Sequence, residues 1–256
     1  MNSQVLALFD KVSDRYGEVP FFPPLGEALV EWVDPRDDAW IADLACGRGA
    51  IGLSGALRRR RARVVGCDLS SGMTTKSRAA GLRRVVRGDL THLPLRNSSF
   101  DYAFLGFAVN FATDVDACIL EVARILKPGG IVGVSTPATA PKGELPGYGD
   151  LIARFADFRL PGVWETHNVK TLVPQLTDAG FDSVRVTAVS VPVTYASPID
   201  FWESEMSHGL RGFVESLPDH AADEFRATTI ELARDAEHQD QLTIHRGARF
   251  MSARLR

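Results

Sequence analysis

Residues 43–52 read DLACGRGAIG, and Gly47, Gly49 and Gly52 have the G-x-G-x-x-G spacing of a turn that brings bare backbone N–H groups up to a ligand. Such a turn follows an apolar strand and opens a helix, so it also offers the positive end of a helix dipole. In a dinucleotide site these groups face a pyrophosphate with no anion beside it. Here Asp43 stands at the strand end, four residues before Gly47. Its charge opposes a phosphate pair and favours a ligand bearing an ammonium or sulfonium group. S-adenosylmethionine has both, and its carboxylate can still bond to the loop N–H groups. A second apolar run, VVGC, ends at Asp68, 21 residues beyond Gly47, where a carboxylate can accept hydrogen bonds from both ribose hydroxyls. Either acid alone could cap the following turn, but that role does not explain why both end consecutive strands of one crossover.

Placing those acids side by side requires a parallel sheet covered by helices, and the chain has that alternation from about residue 38 onward. Strands are predicted at Trp40–Asp43, Arg63–Cys67, Arg84–Arg87, Phe100–Gly106 and Gly130–Ser135. Val115, Ile119, Val122 and Leu126 recur at helical spacing, Thr113 and Asp116 can form a capping box, and Lys127-Pro128-Gly129-Gly130 stops the helix. Farther on, Val184 and Val186 alternate in one phase and Val189, Val191 and Val193 in the other, predicting a bulge near Ala188. The last strand falls within QLTIHRGARFMSARL, where Leu242, Ile244, Ala248 and Phe250 share a face. The organisation expected is one domain over 1–256: an N-terminal helical lid (1–37), a core (38–190 and 241–256) and a helical insert (191–240) over the substrate pocket.

Five pieces in order, D-L-A-C-G-R-G (43–49), V-G-C-D-L-S-S-G-M (65–73), G-D-L-T-H-L-P-L (88–95), F-D-Y-A-F (100–104) and E-V-A-R-I-L-K-P-G-G (121–130), resemble the class I S-adenosylmethionine-dependent methyltransferases. The resemblance implies an α/β, Rossmann-like seven-stranded sheet of order 3-2-1-4-5-7-6 with strand 7 antiparallel, helices on both faces, a helical lid, and the cofactor across the ends of strands 1, 2 and 4. Carried over by motif, Asp43, Gly47 and Gly49 surround the methionine part, Asp68 the ribose, Asp89 the adenine amino group, Met73 and Leu90 the adenine ring, and backbone near Gly106 the amino end, with Ala45 and Leu69 also among the cofactor-binding residues. For Met73 and Leu90 packing in the core is the rival role. Ala45 stands where the family often has its first glycine. Arg48 replaces a smaller residue and either pairs with the cofactor carboxylate or points into water. At the N-terminus, F-D-K-V-S-D-R-Y (9–16) is similar to the F-x-x-V-A-x-x-Y segment of the ubiquinone/menaquinone methyltransferase-like branch, with Gly17 in place of the usual Asp. That similarity puts Tyr16 near the transferable methyl.

Methyl transfer from a sulfonium releases a neutral leaving group, S-adenosylhomocysteine, so a base is optional and positioning dominates. The acceptor pocket is expected where large apolar, mostly aromatic residues cluster outside the core: Phe21 and Phe22; Tyr148, Phe155, Phe158 and Trp164; Tyr195, Phe201, Trp202, Met206 and Phe213. His167 and His208 are the candidate bases, with Glu203 and Glu205 near the latter; His92, His220, His238 and His245 rank below them.

Composition limits the partners. The net charge is -3 over 256 residues, and the one basic run, Arg58–Arg61, reads as the solvated end of a helix, so no nucleic-acid partner is expected. The N-P-P-Y type motif of nucleic-acid and protein methylation is absent after the fourth strand, which reads LGFAVNF. No stretch nears the ~18 apolar residues of a membrane span, which points to a cytoplasmic protein. Cys46, Cys67 and Cys118 lack paired spacing and read as reduced thiols that bind no metal. The expected function is methylation at carbon or oxygen of an apolar quinone-, polyketide- or other secondary-metabolite-like molecule. Two other readings stand beside it: a cofactor-bound protein of this fold that catalyses a cyclisation or another non-methylating reaction, and an NAD(P)-dependent oxidoreductase.

Overall fold

The computed structural model describes residues 3–138, 144–155, 169–238 and 241–256. Strands β1 (Trp40–Leu44), β2 (Arg63–Asp68), β3 (Val85–Arg87), β4 (Phe100–Gly106), β5 (Leu126–Pro137), β6 (Phe181–Tyr195) and β7 (Leu242–Leu255) form one sheet of order 3-2-1-4-5-7-6. The ladders from β3 through β5 are parallel, and β7 runs antiparallel to both β5 and β6. The expected topology is therefore the observed one.

Both faces of the central strands are covered, as their nearly unbroken apolar sequences require. Ile41, Phe104 and Phe250 belong to one buried cluster and Ala42, Leu44, Leu105 and Met251 to the other, following the two-residue alternation of side chains. Helix α1 (Ser3–Val12) places Leu8 and Val12 against Met73 of α4 (Ser71–Ala79), and α2 (Phe22–Val33) buries Leu25, Leu29, Val30 and Val33 beneath the sheet. Between β1 and β2 lies the short α3 (Gly55–Arg59), while α5 (Val115–Ile125) joins β4 to β5. After β5 come α6 (Tyr148–Arg154) and α7 (Val169–Asp178). After β6 the chain forms α8 (Pro198–Glu205), α9 (Leu210–Val214) and α10 (Asp219–Asp235), whose fully buried Phe225 meets the rings of Tyr148, Phe155, Trp202 and Phe213.

Four local expectations need correction. Asp114, not the Thr113/Asp116 pair, caps α5, its carboxylate accepting the Ala117 N–H at 2.9 Å. Lys127–Gly130 does end α5 but already lies inside β5, which begins at Leu126. The bulge expected near Ala188 is absent; the ladder is continuous from Arg185–Ser252 to Tyr195–Leu242, and the irregularity falls at Asp182–Arg185, where Ser183 has φ 53°. Val184 packs with one cluster and Val189, Val191 and Val193 with the other, so the phase changes because opposite faces of β6 are covered at its two ends. Finally, Arg59, Arg60 and Arg61 do not simply face water: they pair with Glu27 and Glu31, with Asp34, and with Asp38.

Candidate active site

The glycine turn is held from below by the two acids. After β1 the chain passes through left-handed conformations at Ala45 (φ 51°), Gly47 (φ 51°) and Gly49 (φ 90°). Asp68 accepts the Gly47 N–H at 2.8 Å on one carboxylate oxygen and the Ser70 N–H at 2.9 Å on the other. Each oxygen keeps a second lone pair, and the residue lines the cavity above. Asp43 is buried and accepts the Gly52 N–H at 2.8 Å. A Cβ at Gly52 would stand 2.8 Å from that same oxygen, which is why the third glycine is needed. Burial, reinforced by the charge of Asp68, raises the Asp43 carboxyl to about 7.

Three adjoining cavities open above the C-terminal ends of the parallel strands. The first is lined by Ala45, Gly47, Asp68, Leu69, Met73, Asp89, Leu90 and Gly106, with Phe9 of α1, Phe107 and Phe111 added by the structure. One Asp89 oxygen accepts the Thr91 N–H (3.0 Å) and hydroxyl (2.9 Å), and the other carries no hydrogen bond among the described residues. The second cavity, walled by Asp43, Ala45, Gly47, Gly49 and Ile51, continues from the first. A Cβ on Gly106 would meet Ile51 Cδ1 at 2.6 Å, so backbone must form this wall. Phe107 just beyond β4 has φ 52°, a strained bend held by its N–H donating to the Ser135 carbonyl and hydroxyl, each at 3.1 Å. The donor set suits an adenosyl amino acid: two carboxylates for hydroxyls and an amine, an apolar slot, and an acid beside the turn for a cation. Ten cofactor-site residues named from sequence thus share two continuous chambers.

The third cavity, of about 440 Å3, adjoins both. Tyr16 and Phe107 line all three. Tyr16 follows α1 and stacks on Phe22 at 5.0 Å; burial and the nearby Asp68 charge lift its phenol well above the ordinary range. His208 lines the third cavity, its Nε2 3.3 Å from Glu205 and its Nδ1 accepting the Leu210 N–H at 3.4 Å. His167 lies outside the described residues, as do Phe158 and Trp164. Glu203 turns instead to the surface, pairing with Arg15 at 2.7 Å. Of the candidates for the acceptor pocket, Phe21, Phe22, Tyr148 and Phe213 reach the cavity, whereas Phe155, Tyr195, Phe201, Trp202 and Met206 pack in the core.

Arg48 lines the second cavity, and its guanidinium donates to the Asp14 carbonyl at 3.0 Å. A Cβ on Gly17 would lie 2.4 Å from Arg48 Cζ, so the two departures from the family pattern are complementary. Sequence reasoning missed Arg246 and Tyr148 as a polar group and ranked His245 low; all three line the third cavity. One signal was available for Arg246: it occupies the apolar face of β7 between Ile244 and Ala248. Among the described residues there is no cluster of three or more His, Cys, Asp or Glu fit for a metal, and the three cysteines are buried and free.

Replacing Asp68 by Ala is expected to weaken binding of S-adenosylhomocysteine by about 1–3 kcal/mol, because two backbone N–H groups and the ligand hydroxyls lose their acceptor. Calorimetric titration measures it, and unchanged affinity rules out the ribose assignment.

The sheet order and the acid-flanked glycine turn define a Rossmann-like methyltransferase fold. Residues 42–134 match the family described as Methyltransferase domain. A demethylmenaquinone methyltransferase of Thermobifida fusca is 36% identical over 138 residues, 49% of this chain and 58% of that protein. The ubiquinone/menaquinone biosynthesis C-methyltransferase UbiE of Paracoccus denitrificans is 25% identical over 217 residues, 74% of this chain and 87% of that one. The chain spans about three fifths of the length of the first of these relatives. Among solved structures, the YcgJ protein from Bacillus subtilis superposes with a TM-score of 0.62 at 18% identity, over 90% of this chain and 98% of that one. Residues 42–134 thus carry a methyltransferase domain, and the chain is similar in sequence to quinone methyltransferases.

Proposed function

We propose that the protein transfers the methyl group of S-adenosylmethionine to a carbon or oxygen of an apolar small molecule of quinone-, polyketide- or related type. The observation that carries this reading is the junction itself: a cavity of about 440 Å3, walled mostly by apolar side chains, meets the cofactor chambers at Tyr16 and Phe107. When bound, the cofactor supplies an electrophilic methyl on a positive sulfur. Asp68 and Asp89 fix its nucleoside end, Asp43 and the glycine turn receive its amino acid end, and Phe22, Phe107 and Phe111 keep water from the acceptor side. Tyr16 orients an acceptor oxygen as a hydrogen-bond donor. His208 remains the candidate base, although its ring nitrogens are engaged with Glu205 and Leu210.

No helix among the described residues is long and apolar enough to cross a membrane. The reading is of a cytoplasmic enzyme with a small-molecule partner and no nucleic acid.

Incubation with methyl-labelled cofactor and a panel of phenolic, quinone and polyketide acceptors tests the reading, alongside thermal-shift titration with S-adenosylhomocysteine and with NAD. Label in the acceptor and stabilisation by S-adenosylhomocysteine alone are expected. Stabilisation by NAD instead points to an oxidoreductase, and an acceptor consumed without label points to a non-methylating use of the cofactor. Tyr16→Phe is expected to lower kcat about tenfold or more while moving cofactor affinity less than about twofold, since the hydroxyl and not the ring is lost. An unchanged kcat removes Tyr16 from the reaction.

A further inference from the structure

The third cavity has one strongly polar wall, and its charges are unevenly used. Glu205, 2% exposed, is shared among three donors: one oxygen takes Arg246 at 2.9 Å and His208 at 3.3 Å, and the other accepts the Tyr148 hydroxyl at 2.8 Å. The planar fork of Arg246 carries five N–H donors, and the ion pair with Glu205 is its one polar contact among the described residues. The guanidinium carbon lies 4.4 Å from the centre of the Phe21 ring and 5.8 Å from that of Phe201, with the side chain only 18% exposed, so aromatic faces rather than water surround it. In the same cavity the Asn110 side-chain oxygen is buried without a hydrogen-bond partner.

We propose that Arg246 is the residue that selects the acceptor, binding an oxyanion (carboxylate, phenolate or enolate) on an otherwise apolar skeleton, while Asn110 takes a hydrogen bond from a hydroxyl of the same molecule. This rests on the small-molecule methyltransferase reading. Glu205 is met by one Arg246 nitrogen and shares its oxygens with His208 and Tyr148, which leaves the other guanidinium N–H groups without a carboxylate partner among the described residues. A neutral apolar acceptor would leave those N–H groups desolvated and unmatched, whereas a planar oxyanion fits the fork and gains charge-assisted bonds in a site that excludes water. Tyr148 then acts as a positioning residue that holds Glu205, and through it the guanidinium.

The test is calorimetric binding to the full chain saturated with S-adenosylhomocysteine, using 3-hydroxy-2-naphthoate, the matched neutral 3-hydroxy-2-naphthamide, and the enolic 2-hydroxy-1,4-naphthoquinone. The naphthoate or the quinone is expected to bind about tenfold or more tightly than the amide, and which of the two leads distinguishes carboxylate from enolate acceptors. Arg246→Met alone leaves Glu205 buried without its cation, so the informative variant is Arg246→Met with Glu205→Gln, which removes both charges and keeps an acceptor for Tyr148. In it the anion preference is expected to fall below about threefold while S-adenosylhomocysteine binds as before. Equal binding of naphthoate, quinone and amide by the unmodified protein, or a preference that survives in the double variant, overturns the proposal. Failure of S-adenosylhomocysteine to bind the unmodified protein overturns the methyltransferase reading itself, and this inference with it.

Discussion

Glu205→Ala is expected to destabilise the protein by about 3–5 kcal/mol, the cost of leaving a buried charge without its partner. The carboxylate sits on α8 at 2% exposure, and its removal strands Arg246 in an aromatic surround while Tyr148 loses its acceptor. Urea unfolding measures the loss. The Glu205→Leu/Arg246→Met double variant is expected to recover most of it, since neither charge is then left alone. A Glu205→Ala protein within about 1 kcal/mol of the original contradicts the ion pair. The same group dictates an acid limb. Arg246 and His208 outweigh burial and draw the Glu205 carboxyl down from 4.5 to about 2. Its folded value lies below its unfolded one, so its contribution is present above about pH 4.5 and is lost as the pH falls toward 2. Glu205→Gln should lack that limb.

Asp43 has the opposite sign. Burial lifts its carboxyl from 3.8 to about 7, so the folded protein holds a proton that the unfolded chain gives up, and the associated stability is present below about pH 4 and lost as pH rises through 7. The span corresponds to roughly 4 kcal/mol, an order of magnitude only. Asp43→Asn keeps an oxygen for the Gly52 N–H and cannot ionise, so relative to this variant the original protein is expected to lose stability steadily between about pH 4 and 7. Parallel unfolding curves for the two across that range would contradict the assignment. Cofactor binding reads the same group in reverse. A cationic ligand in the adjoining chamber favours ionised Asp43, so its affinity should climb with pH up to about 7 and level off, with a proton released on binding below that point. In Asp43→Asn both the climb and the proton release should vanish.

Much of this was legible before any coordinates. Strand positions followed from apolar runs bounded by glycine, proline and acids, and the pairing of Asp43 with Asp68 followed from strand ends that a parallel crossover must bring together. The sheet order came from the resemblance. Local chemistry was less secure: Thr113, Asp114 and Asp116 all have side chains able to cap α5, and only geometry selects Asp114. At Asp43 the sequence reading assumed a fixed negative charge, because burial, which shifts the titration to near neutrality, is a property of the packed core. The polar wall of the acceptor cavity was hidden for a different reason. Glu205 and His208 stand three residues apart and were paired from sequence, but Tyr148, 57 residues from Glu205, and Arg246 lie on other segments. No spacing rule joins those two to the pair, and only the lone arginine amid apolar neighbours on β7 hinted at a partner.

The segment ending in Tyr16 is tied down on both flanks. Toward the cofactor side, Asp10 accepts from the Ser70 hydroxyl and the Gly72 N–H, Asp14 pairs with Lys76, and the Asp14 carbonyl holds Arg48. Toward the insert, Lys11 and Arg15 pair with Glu215 and Glu203. Because Tyr16 lines all three cavities, the strip that ends in it borders the cofactor chambers and the acceptor cavity alike. Several of the contacts that hold it are exposed ion pairs, so rising ionic strength is expected to weaken its hold.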